Sequence, residues 1–380
     1  MNIVLKTFFG LEPALADELK ELGFSEVELM NRAVRIKGEW KDVYFLNLHC
    51  RCAISVLVEL KTFTISQEKD LYNEALKIKW TELFDVRKTF AIRGAVNSSI
   101  FKHSQFPFLL VKDAIVDTFR DKTGDRPDIN TKTPHIVFDL YVREKEVVLS
   151  VNTSGIPLFQ RGYRQSTGEA PLNEVVAAAL IRMSGWDRKS AFIDPFCGSG
   201  TLAIEAALLA CNIPSVLERN HFSFKNLKNF DSEYWESLLE KVNKYVKELP
   251  APIYASDSSS EMVLKAKRNA STFSFGRLIQ FTNESMEERS YPEAPATLIT
   301  NPPYGERMAA DLEELYGDLG SVFKHKLQGY SCFVISSSDE GFNSIGLKPD
   351  KKWKLFNGDI ECSFRKYSIY SGSKKQVTVE

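Results

Sequence analysis

One short motif holds the residues best suited to chemistry. Residues 300–305 read Thr-Asn-Pro-Pro-Tyr-Gly and begin at the last residue of an apolar segment, ATLIT, that is typical of a buried strand. Two consecutive prolines cannot continue a helix or a central strand, so the chain must turn there. The turn can aim the Asn301 side chain and the Pro302 carbonyl oxygen at one point, while Tyr304 offers a face on which an extruded base can stack.

This pair of acceptors predicts methyl transfer to an aromatic amine. An exocyclic NH2 carries two hydrogens, and its nitrogen lone pair is delocalised into the base. Two aimed acceptors can draw that nitrogen toward tetrahedral geometry, so that it attacks a methyl group first and loses its proton afterwards. Such catalysis depends on positioning and electrostatics and needs no strong general base. The alternative interpretation of the motif is a proline-rich connector.

A second motif, AFIDPFCGSGTLAIE, is typical of a loop that binds a nucleoside cofactor. A strand ends at Asp194, a glycine-rich turn follows, and a helix begins near Thr201. Gly198 and Gly200 allow a tight turn and the close approach of a ligand. Backbone N–H groups at the helix start, Ser199 included, then point into the site.

The residues of this loop fit two cofactors. GSGTLA matches the loose G-x-G-x-x-G/A dinucleotide fingerprint. Asp194 favours the other cofactor, because a carboxylate just ahead of the loop repels a pyrophosphate and suits the cationic amino-acid end of S-adenosylmethionine.

Two further polar residues follow later strands. Asp257 ends IYASD, where a carboxylate can accept hydrogen bonds from ribose hydroxyls. Asn283 ends RLIQFTN, where the adenine amino group of the cofactor would lie. The alternative role for Asp257 is a helix cap, which the serines after it could also provide.

A connector, RGYRQSTGEAPLNE, precedes the glycine-rich loop. Its Arg161 and Arg164 are candidates to contact RNA phosphates, and interdomain salt bridges are the alternative. Pro171 is predicted to start the helix VVAAALIRM and Gly185 to end it. That helix could cover the cofactor.

These motifs require a parallel sheet to position them. From about residue 165, strand candidates alternate with helical segments, which predicts an α/β, mostly parallel, doubly wound sheet. The last segment, KKWKLFNGDIECSFRKYSIY, predicts a hairpin that places an antiparallel strand at or inside the sheet edge. An insertion at about 212–250 contains an amphipathic helix. Its predicted apolar stripe consists of Trp235, Leu238, Leu239, Val242 and Val246.

The first 156 residues predict two smaller α+β units. Residues 1–62 alternate strands with two helices, and residues 63–156 contain a strand, a long helix and a hairpin with a charged turn. The net charge of residues 61–170 is about +3, against −1 for the whole chain. The second unit contains no evident triad, metal cluster or phosphate loop, so it suits a binding module for nucleic acid.

Composition narrows the class of protein. The 380 residues are 43% hydrophobic, and no apolar run approaches the length of a spanning helix. Acidic residues near the N-terminus do not fit a signal peptide, so we expect a cytoplasmic protein. His49, Cys50 and Cys52 form H-C-R-C, whose C-x-C spacing lacks a second pair, so we expect no metal site.

Together these motifs carry a family resemblance over nearly the whole chain. DPFCGSGTLAIEAA, NPPYGER, RGYR…APLNE and FNGDIECSFRKY resemble the THUMP-containing class I RNA methyltransferases, most closely the bacterial large-subunit ribosomal RNA guanine-N2 methyltransferases. The resemblance implies a ferredoxin-like domain at 1–62, a THUMP RNA-binding domain at 63–156 and a Rossmann-like methyltransferase domain at 157–380. It also implies S-adenosylmethionine as methyl donor and guanine N2 in structured RNA as acceptor.

The resemblance assigns roles by position. The glycine-rich cofactor loop would include Asp194, Gly198 and Gly200, and Asp257 would bind the ribose. Asn283 falls on the adenine-side position, where the family more often has Asp. The catalytic motif would comprise Asn301, Pro302 and Tyr304. Some members carry a second methyltransferase domain downstream; this sequence ends at Glu380, so one activity is expected.

Four other functions compete with this prediction. Transfer RNA guanine-N2 methylation differs only in the RNA, because THUMP domains also occur in tRNA-modifying enzymes. DNA adenine-N6 methylation uses the same amine chemistry but leaves the RNA-type leading domains without a role. A nucleotide-dependent oxidoreductase would use the glycine-rich loop for NAD and leave N-P-P-Y unexplained. A non-catalytic RNA-binding scaffold would not need Asn301, Pro302 and Tyr304.

Overall fold

A computed structural model of the chain describes residues 1–165, 171–219, 221–303 and 311–370. Two seven-stranded sheets organise these residues. The described chain also divides into two compact units, each considered by itself below. The first unit comprises 1–7, 19–158 and 219–241, and the second comprises the described residues of 8–18, 159–218 and 242–380.

The first sheet runs through both predicted N-terminal domains. Its strands are β1 (Asn2–Lys6), β2 (Val27–Met30), β3 (Ala33–Lys37), β4 (Ser55–Thr64), β5 (Phe90–Asn97), β6 (Ile136–Arg143) and β7 (Glu146–Asn152). They are ordered β2-β3-β1-β4-β7-β6-β5. The predicted boundary at 62/63 falls inside β4, whose neighbours are β1 on one side and β7 on the other. The hydrogen-bonded ladder is therefore continuous across that boundary.

Four helices of the first unit accompany this sheet in the chain. They are α2 (Trp40–His49), α3 (Glu68–Leu76), α4 (Trp80–Leu83) and α5 (Phe106–Thr123), whereas α1 (Glu12–Glu21) is divided between the two units, with residues 12–18 in the second. The predicted helix stop at Gly124 is confirmed: this glycine adopts a left-handed conformation at the C-terminus of α5, which glycine does without steric cost. The predicted charged turn between β6 and β7 is confirmed as well.

The insertion in the second half of the sequence belongs in part to the first unit. Residues 219–241 lie there and contribute Phe222, Phe224 and Trp235 to a group of aromatic rings around Tyr44. The predicted amphipathic helix is α8 (Ser232–Tyr245). Of its predicted stripe, Trp235, Leu238 and Val242 are buried. Val246 was predicted wrongly, because it lies past the end of α8 and is 40% exposed.

The second sheet confirms the predicted α/β architecture. Its strands are β8 (Ala191–Asp194), β9 (Ile253–Ser256), β10 (Ile279–Thr282), β11 (Ala296–Thr300), β12 (Ser331–Ser336), β13 (Lys351–Asn357) and β14 (Ile360–Ser368), in the order β10-β9-β8-β11-β12-β14-β13. The first five strands in this order are parallel. The terminal hairpin inserts β14 between β12 and β13, antiparallel to both.

The helices of the second unit follow the predicted alternation. They are α6 (Glu174–Ser184), α7 (Thr201–Ala210), α9 (Ser260–Ala270), α10 (Leu312–Lys326) and α11 (Asp339–Ser344). Helix α6 begins later than predicted, because the Asn173 side chain caps it by accepting a hydrogen bond from the Val175 N–H at 2.9 Å. It ends at Gly185 as predicted. Among the described helices, none combines the length and apolarity required to cross a membrane.

A glycine on the outermost strand of the first sheet yields a stability prediction. Gly94 of β5 has a φ of +144°, and a Cβ there would lie 1.9 Å from the Leu140 carbonyl oxygen of β6. We expect Gly94→Ala to reduce the free energy of unfolding by about 3 kcal/mol or more, through backbone strain and the clash. Thermal or chemical unfolding measures the loss.

Gly124→Ala is the matched control, because Gly124 also has a positive φ, +75°, but open space beside its Cβ position. We expect it to cost only about 1–2 kcal/mol, from backbone strain alone. Equal losses in the two variants would contradict the close approach of β5 and β6.

Candidate active site

The carboxyl ends of four strands lie side by side in the second sheet. Phe281 of β10 pairs with Ala255 of β9, and Ala255 pairs with Asp194 of β8. Leu298 of β11 pairs with Ile193 of β8. This register brings together polar residues that are far apart in the sequence, at the edge where parallel α/β sheets bind their ligands.

The glycine-rich loop has the tight backbone that was predicted. Gly198 and Gly200 have φ values of +51° and +87°, which other residues rarely adopt. The Gly200 N–H donates to the Cys197 carbonyl oxygen at 2.8 Å, and α7 then begins at Thr201. The loop therefore presents the N-terminus of a helix toward the strand ends.

Asp194 is buried, at 1% exposure, and it links two of the strand ends. Its Oδ1 accepts hydrogen bonds from the Thr300 hydroxyl of β11 at 2.9 Å and from the Phe196 N–H at 3.2 Å. Burial raises the pKa of this carboxyl to about 7, although both hydrogen bonds and the Arg289 guanidinium oppose the shift. Its charge therefore responds to its surroundings near neutral pH.

The Asp257 carboxylate lies between the glycine-rich loop and the start of α9. It accepts hydrogen bonds from the N–H groups of Gly198 and Ser259, both at 2.9 Å. The cap of α9 is Ser259, whose hydroxyl accepts from the Met262 N–H at 3.4 Å. Since each carboxylate oxygen can accept more than one hydrogen bond, Asp257 keeps capacity for a ligand hydroxyl.

Asn283 lies at the end of β10, next to the Asp257 segment. Its Nδ2 donates to the carbonyl oxygens of Asp257 and Ser258, both at 2.9 Å. These bonds use the donor half of the exposed amide and leave Oδ1 as its acceptor. The family resembled by the sequence more often has Asp at this position, and Asn283 still offers an acceptor oxygen there.

Asn301 follows Thr300 at the end of β11. Its Oδ1 is buried and, among the described residues, accepts no hydrogen bond. An unpaired buried acceptor costs about 1–3 kcal/mol, so its persistence calls for an explanation such as a missing ligand. Pro302 is buried beside it. Tyr304 lies outside the described residues.

The structure argues against phosphate contact by Arg161. Its side chain is completely buried, and its Nε donates to the equally buried Glu205 of α7 at 3.2 Å. The Tyr163 hydroxyl donates to the same carboxylate oxygen at 3.1 Å. The predicted RNA-binding role of Arg161 is therefore corrected to a buried ion pair within the second unit, whose disruption would leave an uncompensated charge.

Arg164 also forms contacts within the second unit. Its Nε donates to the Glu174 carboxylate at 2.7 Å and its Nη2 to the Thr201 hydroxyl at 3.0 Å. The guanidinium thus connects the starts of α6 and α7, beside the glycine-rich loop. Contact of Arg164 with RNA stays a prediction.

Three residues of this region have roles that were not predicted from the sequence. Glu205 carried a readable signal, because a lone carboxylate in the apolar helix TLAIEAALLA needs a buried partner. Thr300 and Arg289 carried none. Arg289 is buried, and its guanidinium carbon Cζ lies 5.4 Å from the centre of the Tyr254 ring. Its Nε and Nη1 bond to no described residue.

The thiol in the glycine-rich loop does not suit nucleophilic chemistry. Cys197 is buried, and burial raises the pKa of its thiol well above the ordinary value. Because the thiolate is the reactive form, Cys197 stays neutral and unreactive at physiological pH.

Three family models match the chain in sequence. Residues 161–366 match the family described as "RMKL-like, methyltransferase domain". Residues 66–152 match the THUMP domain, and residues 2–57 match the RlmL ferredoxin-like domain. The first of these matches covers more than half of the chain.

Relatives and solved structures agree with these matches. "Ribosomal RNA large subunit methyltransferase K/L" of Psychromonas ingrahamii is 37% identical over an alignment of 388 positions. The alignment covers all of this chain and 51% of that protein. The chain thus spans about half the length of the curated relatives it matches.

SMU.472, a putative methyltransferase complexed with SAH (S-adenosylhomocysteine), superimposes with a TM-score of 0.88 at 25% identity and covers 98% of this chain and 99% of its own. A possible methylase from Clostridium difficile 630 gives 0.89 at 27% identity, with 98% and 99% covered. The architecture described above is therefore shared with solved methyltransferase folds along almost the entire chain.

The burial of Asp194 generates a prediction about stability and pH. At low pH the carboxyl is protonated in both the folded and the unfolded chain. As the pH rises from the ordinary pKa of 3.8 to about 7, only the unfolded chain loses the proton, so the protein loses stability across this window. Between about pH 4 and about pH 8 we expect the free energy of unfolding to fall by about 4 kcal/mol more in the unaltered protein than in Asp194→Asn.

Asparagine keeps an Oδ1 acceptor for the Thr300 hydroxyl and the Phe196 N–H, so the comparison isolates the charge. Unfolding curves of both proteins at about pH 4 and about pH 8 provide the measurement. An identical pH dependence in the two proteins would contradict the raised pKa.

Proposed function

Since the chain belongs to the family of RMKL-like methyltransferase domains, we propose that it methylates the exocyclic N2 of a guanine in large-subunit ribosomal RNA. S-Adenosylmethionine is the methyl donor, as the family and its S-adenosylhomocysteine-bound structural neighbour imply. The acceptor base and the RNA are the parts that this proposal adds.

The strand ends fit the methyl donor chemically. Burial raises the pKa of the Asp194 carboxyl to about 7, and a cationic ammonium group beside it would lower that pKa and favour the ionised carboxylate. The N–H groups at the start of α7 suit the donor's carboxylate. Asp257 has acceptor capacity for ribose hydroxyls, and Oδ1 of Asn283 suits the adenine amino group.

The observation that carries the proposal is the unpaired Oδ1 of Asn301. This atom is buried at the end of β11, directly after Thr300, whose hydroxyl bonds to Asp194 in the cofactor region. A base amino group can supply the hydrogen that this oxygen lacks. The Pro302 carbonyl oxygen is the second acceptor in the proposal, so that both hydrogens of one NH2 are held.

The chain's residues then position the amine rather than deprotonate it. S-Adenosylmethionine, when bound, supplies an electrophilic methyl group. Asn301 and Pro302 hold the two N–H bonds and localise the nitrogen lone pair toward that methyl. With the donor bound, the amine held by these two acceptors would take its methyl group, release one proton to water and leave S-adenosylhomocysteine.

Ribosomal RNA is favoured as substrate by three observations. Residues 66–152 match the THUMP domain, and the relative from Psychromonas ingrahamii acts, by its name, on ribosomal RNA of the large subunit. The mild positive charge of residues 61–170, about +3, agrees with a nucleic-acid partner. Transfer RNA stays the main alternative substrate, and an adenine N6 would use the same two acceptors.

We predict opposite effects for two asparagines of the site. Asn301→Ala should keep S-adenosylhomocysteine affinity within about twofold and reduce kcat by about 10²-fold to 10³-fold, because it removes an acceptor needed mainly in the transition state. Asn283→Ala should weaken cofactor binding and leave kcat near normal at saturating cofactor. Calorimetry and single-turnover assays with radioactive methyl measure these effects.

Wild-type turnover by Asn301→Ala would overturn the assigned chemistry. Loss of cofactor binding in that variant would mean that Asn301 belongs to the cofactor site instead. The reciprocal behaviour expected of Asn283→Ala would show that the assays can separate the two roles.

A nucleoside assay tests the substrate. We expect the full chain to methylate large-subunit ribosomal RNA from cells that lack the gene, with N2-methylguanosine as the product detected by mass spectrometry. Transfer RNA and duplex DNA from the same cells are the parallel substrates. N6-methyladenosine as product, or a preference for transfer RNA, would contradict the proposed acceptor or the proposed RNA respectively.

A further inference from the structure

One buried side chain joins the glycine-rich loop to the connector before it. Asn269 of α9 is 1% exposed. Its Nδ2 donates to the Ser199 carbonyl oxygen at 3.0 Å, and its Oδ1 accepts from the Gln165 N–H at 2.9 Å. Two segments of backbone that are 34 residues apart are therefore held through opposite ends of one amide.

The rest of this helix face also contacts the loop. Ala266 lies three residues before Asn269, so the two side chains share one face of α9. A Cβ at Gly200 would approach the Ala266 Cβ to 3.0 Å, which shows how closely the loop packs on the helix. The helix thus combines a small residue, which admits the loop backbone, with an amide, which bonds to it.

The Ser199 carbonyl is the part of the loop that most needs an anchor. It lies between Gly198 and Gly200, both in the left-handed region. Glycine loses more conformational freedom on ordering than other residues, so this loop is costly to hold in one conformation. A buried hydrogen bond at its centre reduces the ordering left for a ligand to impose.

We propose that Asn269 is a positioning residue for the methyl donor. It holds the Ser199 carbonyl, and with it the N–H groups of the loop, in the conformation that receives S-adenosylmethionine. Because it also accepts a hydrogen bond from the Gln165 N–H, ordering of the loop would order the connector at Gln165 as well. This inference rests on the cofactor part of the proposed function and is independent of the acceptor base.

A second contact supports the coupling of connector and loop. Arg164, next to Gln165 in the connector, donates to the hydroxyl of Thr201, two residues after Ser199. The same arginine is paired with Glu174 at the start of α6. The connector is therefore tied to the loop by two adjacent residues, and Asn269 supplies the tie that reaches the centre of the loop.

Variants of Asn269 test the proposal in the full chain. Asn269→Ala removes the hydrogen bonds to Ser199 and Gln165, and Asn269→Asp keeps the acceptor for the Gln165 N–H while it removes the donor to Ser199. We expect the Kd for S-adenosylhomocysteine, measured by calorimetry, to rise about tenfold or more in both variants. The KM for S-adenosylmethionine should rise in parallel, with kcat less affected.

Asn47→Ala is the matched control. Asn47 is also a fully buried helical asparagine, and its Nδ2 donates to the Val43 carbonyl and the Thr153 hydroxyl, both at 2.9 Å, in the first unit. It should lower the melting temperature as Asn269→Ala does, with cofactor affinity within about twofold of the original. Unchanged affinity in the folded Asn269 variants, or an equal loss in Asn47→Ala, would overturn the proposal.

Amide exchange in the unaltered protein tests the coupling without a variant. We expect bound S-adenosylhomocysteine to slow hydrogen exchange at the Gln165 N–H. The bound ligand orders the loop, and the ordered loop fixes the Asn269 side chain whose Oδ1 accepts the hydrogen bond from Gln165. Unchanged exchange at Gln165 in the presence of bound ligand would contradict the coupling. If the unaltered protein fails to bind S-adenosylhomocysteine at all, the proposed function fails, and this outcome is distinct from the others.

Discussion

The hydrogen bond from the Thr300 hydroxyl to the Asp194 carboxylate is the interaction on which the rest of the site depends. It joins the end of β11 to the end of β8 at 2.9 Å. The residue after Thr300 is Asn301, and the residues after Asp194 form the glycine-rich loop. The parallel ladder sets the approximate register of these two motifs, and this bond makes their contact specific. The proposed sites for the methyl donor and for the acceptor base can therefore lie next to each other only because these two strands are neighbours.

Much of the fold could be predicted because its signals are local. The alternation of strands and helices after residue 165, the helix stops at Gly124 and Gly185, and the terminal hairpin all follow from spacing and from glycine's freedom at positive φ. The family resemblance is confirmed by the match of residues 161–366. The glycine-rich turn could also be read from residue type alone, since Gly198 and Gly200 both adopt left-handed backbone.

What escaped prediction depends on contacts between distant segments. Arg161 was a candidate for RNA contact, and only the fold shows that Glu205 neutralises it 44 residues away. The predicted domain boundary at 62/63 stays a prediction; it falls inside β4, and local patterns do not reveal that one ladder continues through this strand. Asn269 looks like an ordinary helix residue in AKRNAS. Its role appears only when α9 packs against the loop. Residues 219–241 likewise join the first unit through contacts with distant segments, among them hydrogen bonds from Arg219 to the carbonyl oxygens of Pro157 and Ser154.

In the proposed reaction, the unpaired Oδ1 of Asn301 accepts a hydrogen bond from the amino group that becomes methylated. A crystal structure of the chain with S-adenosylhomocysteine and an RNA fragment that contains the target guanine tests this most directly. We expect the guanine N2 to lie about 2.9 Å from both Oδ1 of Asn301 and the carbonyl oxygen of Pro302. A guanine bound beside the cofactor with its N2 held by other groups, and the Asn301 oxygen still unpaired, would contradict it.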